Sequence, residues 1–185
     1  MGLNKKSVRY VIMMFGICGF PDLNKVRICE LGNTRIRHGA NSYIKKLTKK
    51  RFETAKLFFE YLGAEDVSID LNGKDGALVI DLSNPVDVKA LGGQFDIVLN
   101  AGTAEHVENQ AILFKNIYNL CKQGGILISM VPPLGSKHGL YQYDTEFFIL
   151  DDKWKIIDLA ITNSVFNPRR KHNNLSMIYC TQWKR

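Results

Sequence analysis

Two histidines and two tyrosines lie closest to recognisable chemistry in this sequence. His106 follows an apolar run, residues 95–99, and a small polar turn, Asn100-Ala101-Gly102-Thr103. Imidazole titrates near neutrality, so a histidine there can take a proton from a substrate hydroxyl. A histidine on a helix surface is the competing reading. His138 is the second candidate base. It stands in the loop 132–143 with Tyr141 and Tyr143. A histidine and two tyrosines can grip a sugar or an aromatic ring and offer hydrogen bonds. Three acidic residues, Glu30, Asp70 and Asp81, lie at or near the ends of apolar runs. A carboxylate there either accepts hydrogen bonds from a ligand or shapes a turn. Glu105, His106 and His138 could ligate a metal, but their spacing matches no standard motif and no metal is expected.

These residues need a scaffold. Residues 95–99 and 126–131 read as buried strands on either side of a helix from 103 to about 121, with Gln123-Gly124-Gly125 breaking the chain before the second strand. That is one β-α-β unit. Upstream, 26–31 reads as a strand ending at Gly32, 66–71 as a second strand and 77–82 as a third. A helix from about 49 to 62 carries Phe52, Ala55, Phe59 and Leu62 at helical spacing and stops at Gly63. Downstream, 143–150 reads as a helix, and 154–161 and 175–183 as two last strands. The early strands are apolar on both faces, as buried parallel strands should be. The final pair suits an antiparallel hairpin. No repeat, low-complexity tract or linker divides the chain, so one domain over 1–185 is expected. Lys5, Lys6 and Arg9 precede the apolar run 10–20, which imitates a signal peptide. That run is too short to span a bilayer, and no small-x-small cleavage site follows it. A leading helix within 1–22, packed on the sheet edge, is expected instead.

Hydrophobic residues make up 45% and charged residues 23% of the chain, which is ordinary globular composition. Four cysteines stand far apart without a CxxC pair, which fits reduced thiols, a cytoplasmic location and no membrane. The net charge of +7 is local. Seven basic residues (Arg35, Arg37, Lys45, Lys46, Lys49, Lys50, Arg51) and no acidic one fall in the segment 33–51; the rest of the chain has 18 of each sign. Such a patch attracts phosphates, nucleic acid or acidic glycans. A solvated helix face is the bland alternative.

The β-α-β unit, with its "FD-apolar-apolar" strand and the Lys122-x-Gly124-Gly125 turn, resembles the class I S-adenosylmethionine-dependent methyltransferases. The pattern Gly102-Thr103-x-Glu105-His106-Val107, then Val131-Pro132, then His138-Gly139-x-Tyr141-x-Tyr143, resembles a poorly characterised bacterial group of methyltransferase-domain proteins. The likeness spans about 26–161. It implies an α/β, Rossmann-like, seven-stranded and mostly parallel sheet closed by a C-terminal antiparallel pair, with the basic segment 33–51 as an insertion. It implies S-adenosylmethionine as cofactor. Glu30 and Gly32 match the start of the family's acidic-x-Gly-x-Gly-x-Gly loop, whereas Thr34 and Arg35 stand where more glycines are usual. In the resemblance Asp70 accepts both ribose hydroxyls. Asp81 meets the adenine amino group, Leu82 covers the ring, and the backbone of Asn100 and Ala101 lines the methionine part.

Methyl transfer to an oxygen or nitrogen of a small molecule or glycan is therefore the expected activity. Two other readings stay open. Leu99-Asn100-Ala101-Gly102 and the pair Tyr118 and Lys122 resemble short-chain NAD(P)-dependent dehydrogenases. Tyr118 however falls on the apolar stripe Val107, Ala111, Phe114, Tyr118, and no glycine-rich nucleotide loop follows the first strand. The second alternative is an inactive nucleotide- or nucleic-acid-binding relic, which need not have kept Asp70 or Asp81.

Overall fold

Runs of branched apolar residues cut by Gly, Asn and Asp favour short strands joined by tight turns. A computed structural model describes residues 2–135, 138–144, 154–165 and 174–183. In chain order the elements are β1 (Gly2–Leu3), α1 (Lys5–Ile17), β2 (Arg27–Leu31), β3 (Arg35–Ile36), α2 (His38–Thr48), α3 (Ala55–Tyr61), β4 (Glu65–Ile69), β5 (Phe95–Asn100), α4 (Gln110–Leu120), β6 (Cys121–Val131), β7 (Trp154–Val165) and β8 (Asn174–Trp183). Short 3-10 turns stand at Lys74–Gly76 and Ala104–His106.

The main sheet has the order β4-β2-β5-β6-β8-β7. Its first four strands are parallel, and β8 pairs antiparallel with both β6 and β7. From β2 the chain steps outward to β4, then returns to place β5 on the other side of β2. That reversal makes a topological switch point between the ends of β2 and β5, the place where open α/β sheets bind ligands. Side-chain alternation sorts the core into two faces. Ile28, Ile97, Leu99, Ile126 and Ile128 pack with residues of α1, α2 and α3. Cys29, Leu31, Val98, Leu127 and Val131 pack with Leu113, Ile117 and Leu120 of α4. Phe58 and Phe59, both fully buried, contribute about 1.5–3 kcal/mol each through burial.

Several expectations need correction. The main sheet among the described residues has six strands, not seven. Of residues 77–82 only Leu78 pairs, through a one-residue parallel bridge to Ile69. Asp81 turns the chain by accepting from the Ser83 amide at 2.9 Å, so the segment is spent on turns before it can extend. The helix expected from 103 begins at Gln110, because Asn109 caps it by accepting from the Ile112 amide at 3.1 Å. Residues 104–106 form a separate turn before it. The helix expected from 49 begins at Ala55, where Thr54 is the cap; Lys49 itself is left-handed and ends α2. α1 packs over a sheet face rather than its edge, since Val8, Val11, Met14 and Phe15 join that core. The helix expected at 143–150 lies outside the described residues beyond Asp144, and Tyr143 forms a bridge with Pro133.

Candidate active site at the strand ends

Gly32 follows β2 directly, and its conformation explains why a glycine is required. Its φ is +100°, and a Cβ there would lie 2.2 Å from the Thr103 hydroxyl oxygen. Thr103 in turn donates to the Leu31 carbonyl at 2.6 Å. The β2 loop is thus clamped by the β5 loop across the switch point. On the other side it is tied to the end of β4. The Asn33 amide donates to Asp70 Oδ2 at 2.7 Å, and its side chain donates to Asp75 Oδ2 at 2.7 Å. Asp70 Oδ1 accepts from the Asn72 amide at 2.9 Å. Each Asp70 oxygen has one of these partners, and a carboxylate oxygen has capacity for a second.

Glu30 is placed beneath this loop rather than on its surface. It is fully buried, accepts from Ser68 Oγ at 3.3 Å, and shares that hydroxyl with Asp66. Burial drives the Glu30 pKa well above the carboxylate range, and the neighbouring Asp66 adds to it. Burial also raises Asp66, to about 7, against the opposing pull of Lys56. Two carboxyls on one buried face cannot both ionise cheaply, so this pair holds a proton at neutral pH.

Asp81 is exposed and binds its own turn, accepting from the Ser83 amide and from Asn84 Nδ2 at 2.8 Å. Leu82 is buried with the α4 core. Exposed apolar surface near Asp70 comes instead from Leu71 and Val79, 68% and 69% exposed. Both had been read as parts of strands. Asn100 works through its side chain: Oδ1 accepts from the Thr103 and Ala104 amides, both at 3.0 Å, and Nδ2 donates to Ser129 at 2.7 Å. Ala101 is buried beside it.

Past Thr103 the chain enters a tight turn where three titratable side chains meet. Glu105, His106 and His138 each bring a ligating atom within 4.8 Å of the others. The two imidazoles meet edge to face with centroids 5.0 Å apart. Glu105 Oε1 lies 3.7 Å from His138 Nε2. Glu105 is 0% exposed, yet neither carboxylate oxygen has a hydrogen-bond partner among the described residues. Burial pushes its pKa up to about 7. Burial, with His138 adding to it, holds His106 below the ordinary imidazole value. The His138 loop lies tightly against Glu105: the Glu105 carbonyl accepts from the Leu140 amide at 2.7 Å and the Tyr141 amide at 3.2 Å. At Gly139 (φ +79°) a Cβ would come within 2.6 Å of Glu105 Cγ.

The tyrosines anchor this loop. Tyr141 donates to the Glu108 carbonyl at 2.7 Å, and the buried Tyr143 donates to Gln110 Oε1 at 2.7 Å. Gln110 Nε2 in turn donates to the Ala104 and Val107 carbonyls. Sequence reasoning had placed Thr103 and Glu105 in the first turn of the helix expected from 103. A clue to their other roles was Gly139 beside His138, which marks a close backbone approach. Tyr118, the residue that had suggested a dehydrogenase, packs against Trp183 with ring centroids 4.5 Å apart.

Residues 49–129 match the family described as Methyltransferase domain. No curated protein matches the chain. Among solved structures, the 1,6-didemethyltoxoflavin-N1-methyltransferase of Burkholderia thailandensis, with bound 1,6-didemethyltoxoflavin and S-adenosylhomocysteine, superposes with a TM-score of 0.60 at 13% identity, over 94% of this chain and 76% of that one. The N-methyltransferase NodS of Bradyrhizobium japonicum WM9 gives a TM-score of 0.58 at 10% identity, over 96% and 97% of the two chains. The CurJ carbon methyltransferase gives 0.53 at 10% identity, over 98% of this chain and 54% of that one. These likenesses are of fold, and they extend across nitrogen and carbon methylation. No helix among the described residues is long and apolar enough to cross a membrane.

Proposed function

We propose that this chain, whose residues 49–129 match a methyltransferase domain and whose fold is that of solved methyltransferases, is an S-adenosylmethionine-dependent methyltransferase that methylates an oxygen or nitrogen of a small molecule or glycan. The observation that carries this reading is Thr103. Its hydroxyl packs on Gly32 and binds Leu31, while Glu105 and His106 follow within three residues. Through Thr103 the loop after β2 is joined to the segment that carries the acid–base cluster, at the ends of β2 and β5.

The residues present fit the cofactor. Gly32 lets the β2 loop close onto Thr103, Asp70 retains acceptor capacity for ribose hydroxyls, and Leu71 and Val79 offer exposed apolar surface for a purine. S-adenosylmethionine supplies, when bound, a sulfonium methyl open to in-line displacement. The chain's part is then mainly orientation. His106 is the first candidate to take the acceptor's proton and His138 the second, because both are exposed and belong to the cluster that follows Thr103. Tyr141, 38% exposed, has its hydroxyl engaged but its ring free to contact an acceptor. The exposed Lys45, Lys46, Lys49, Lys50 and Arg51 give a positive field that suits an anionic acceptor or a nucleic acid. Four free cysteines fit a cytoplasmic setting.

Calorimetric titration with S-adenosylhomocysteine tests the proposal, with NADPH in parallel. Micromolar binding of the first alone is expected, and its loss in Asp70→Ala. Unchanged affinity in that variant would remove the ribose role. Binding of NADPH in its place would refute methyl transfer.

A further inference from the structure

We propose that Glu105, His106 and His138 form a binding site for a divalent first-row transition-metal ion. The proposal rests on the reading of this cluster as the acceptor side of the crevice. Three independent features support it. The ligating atoms already gather within 4.8 Å, and one ion with bonds of about 2.0–2.2 Å needs donors roughly 3 Å apart, so closure asks for about 1–2 Å of movement. His138 can supply this by rotation, since its side chain is half exposed. Second, Glu105 is fully buried and neither of its oxygens has a hydrogen-bond partner among the described residues. A buried carboxylate left so is unusual, and a cation is the partner that would satisfy both oxygens. Third, the surroundings are built to keep it there. The Leu140 and Tyr141 amides, the close pass of Gly139 and the Tyr143–Gln110 hydrogen bond all fix the turn that presents it. Such supporting contacts typify metal sites.

Two imidazoles and one carboxylate favour Zn²⁺, Mn²⁺, Fe²⁺ or Co²⁺ over the oxygen-seeking Mg²⁺ and Ca²⁺. Three protein ligands leave at least one position open. An acceptor oxygen bound there would lose its proton more readily. In the loaded chain the two imidazoles would be ligands and the acceptor's proton would pass to solvent water, so the base role of His106 given above belongs to the metal-free chain.

The test uses the full chain, stripped with chelator and titrated calorimetrically with Zn²⁺, Mn²⁺ and Mg²⁺. The wild type should bind one Zn²⁺ or Mn²⁺ per chain at micromolar or tighter affinity, and Mg²⁺ at least about tenfold more weakly. Glu105→Gln and His138→Ala should each weaken the transition-metal affinity by about tenfold or more. His38→Ala, at an exposed histidine on α2, should leave it unchanged. Absence of stoichiometric binding, or equal affinity in Glu105→Gln and His138→Ala, overturns the site. Glu105→Gln is isosteric, and thermal unfolding without metal checks that it folds. S-adenosylhomocysteine affinity measured on the same samples separates the two readings: if it persists while the metal fails to bind, the methyltransferase reading stands and the metal site falls.

Discussion

The buried pair Glu30 and Asp66 should make this fold less stable as pH rises through the slightly acidic range. Asp66 lies on β4 opposite Ile28 of β2, with Glu30 two residues further along and on the same face. Its pKa rises from the ordinary 3.8 to about 7 in the native chain. Below about pH 4 both native and unfolded states keep the proton, and the group costs nothing. Between about pH 4 and pH 7 the unfolded chain releases the proton while the native chain retains it, so stability falls with increasing pH. Above about pH 7 the native group ionises too, and the loss levels off. A shift of this size corresponds to about 4 kcal/mol, an upper figure because Glu30 titrates with it. Asp66→Asn keeps the shape and an oxygen for Ser68 Oγ, which lies 3.3 Å from Asp66 Oδ1, but cannot ionise. Urea unfolding at pH 4.5, 6 and 7.5, followed by tryptophan fluorescence, reads the difference. The variant should gain about 2–4 kcal/mol over wild type between pH 4.5 and pH 7.5. Parallel stability profiles for the two proteins would refute the buried titration.

Other consequences follow from the same geometry. Gly32→Ala should lower stability by about 2–5 kcal/mol, from left-handed strain plus the clash with Thr103, and should abolish S-adenosylhomocysteine binding. Adding Thr103→Ala should recover part of the stability, and a Gly32→Ala protein as stable as wild type would remove the clamp. His106→Ala should keep its affinity for S-adenosylhomocysteine but slow turnover of a screened acceptor about 100-fold or more; full activity would reduce His106 to a surface residue.

The sheet was legible in the sequence because its central strands are continuous apolar runs with turn residues at their ends. Residues 26–31 and 95–99 are strands to within one residue, whereas the strand expected at 126–131 starts at Cys121 and runs through the Gln123-Gly124-Gly125 that had been read as a break. The third strand was misread because 77–82 is equally apolar. Local composition cannot show that Asp81 spends its carboxylate on the next turn, or that Val79 has no strand beside it to cover it. Helix starts were misplaced for a related reason. Thr103 looks like a cap, yet its hydroxyl reaches the Leu31 carbonyl, 72 residues away in sequence. A tertiary hydrogen bond thus displaced a local preference, and Asn109 became the cap. Glu105, His106 and His138 could be named together from residue type, but their meeting could not be read, because His138 stands 32 residues beyond His106 on a loop that only the fold brings back.

The loop after β2 shows why a glycine-poor sequence can still make an open crevice. Further glycines would be required only if the chain continued alongside the ligand. Here it does not. Thr34 is buried, and Arg35 leaves sideways into β3, pairing with Gly2 of β1. Its guanidinium then binds Asp75 at 3.2 Å. The close contact in this loop falls at Gly32, against the Thr103 hydroxyl. The second support, Asp70, holds the Asn33 amide in place of a longer run of backbone turns. The basic segment that interrupts the glycine pattern therefore also gives the loop its anchor: through Asn33, Arg35 and Asp75 it ties β2 to the loop after β4. In the proposed reading Asp70 then carries two loads at once, loop geometry and ligand hydroxyls. Asp70→Asn separates them, because an amide oxygen can still accept from Asn33 but lacks the charge that strengthens a ribose contact. A variant with native stability and weakened S-adenosylhomocysteine binding is the expected result, whereas equal losses of stability and binding would mean that Asp70 acts only through the loop.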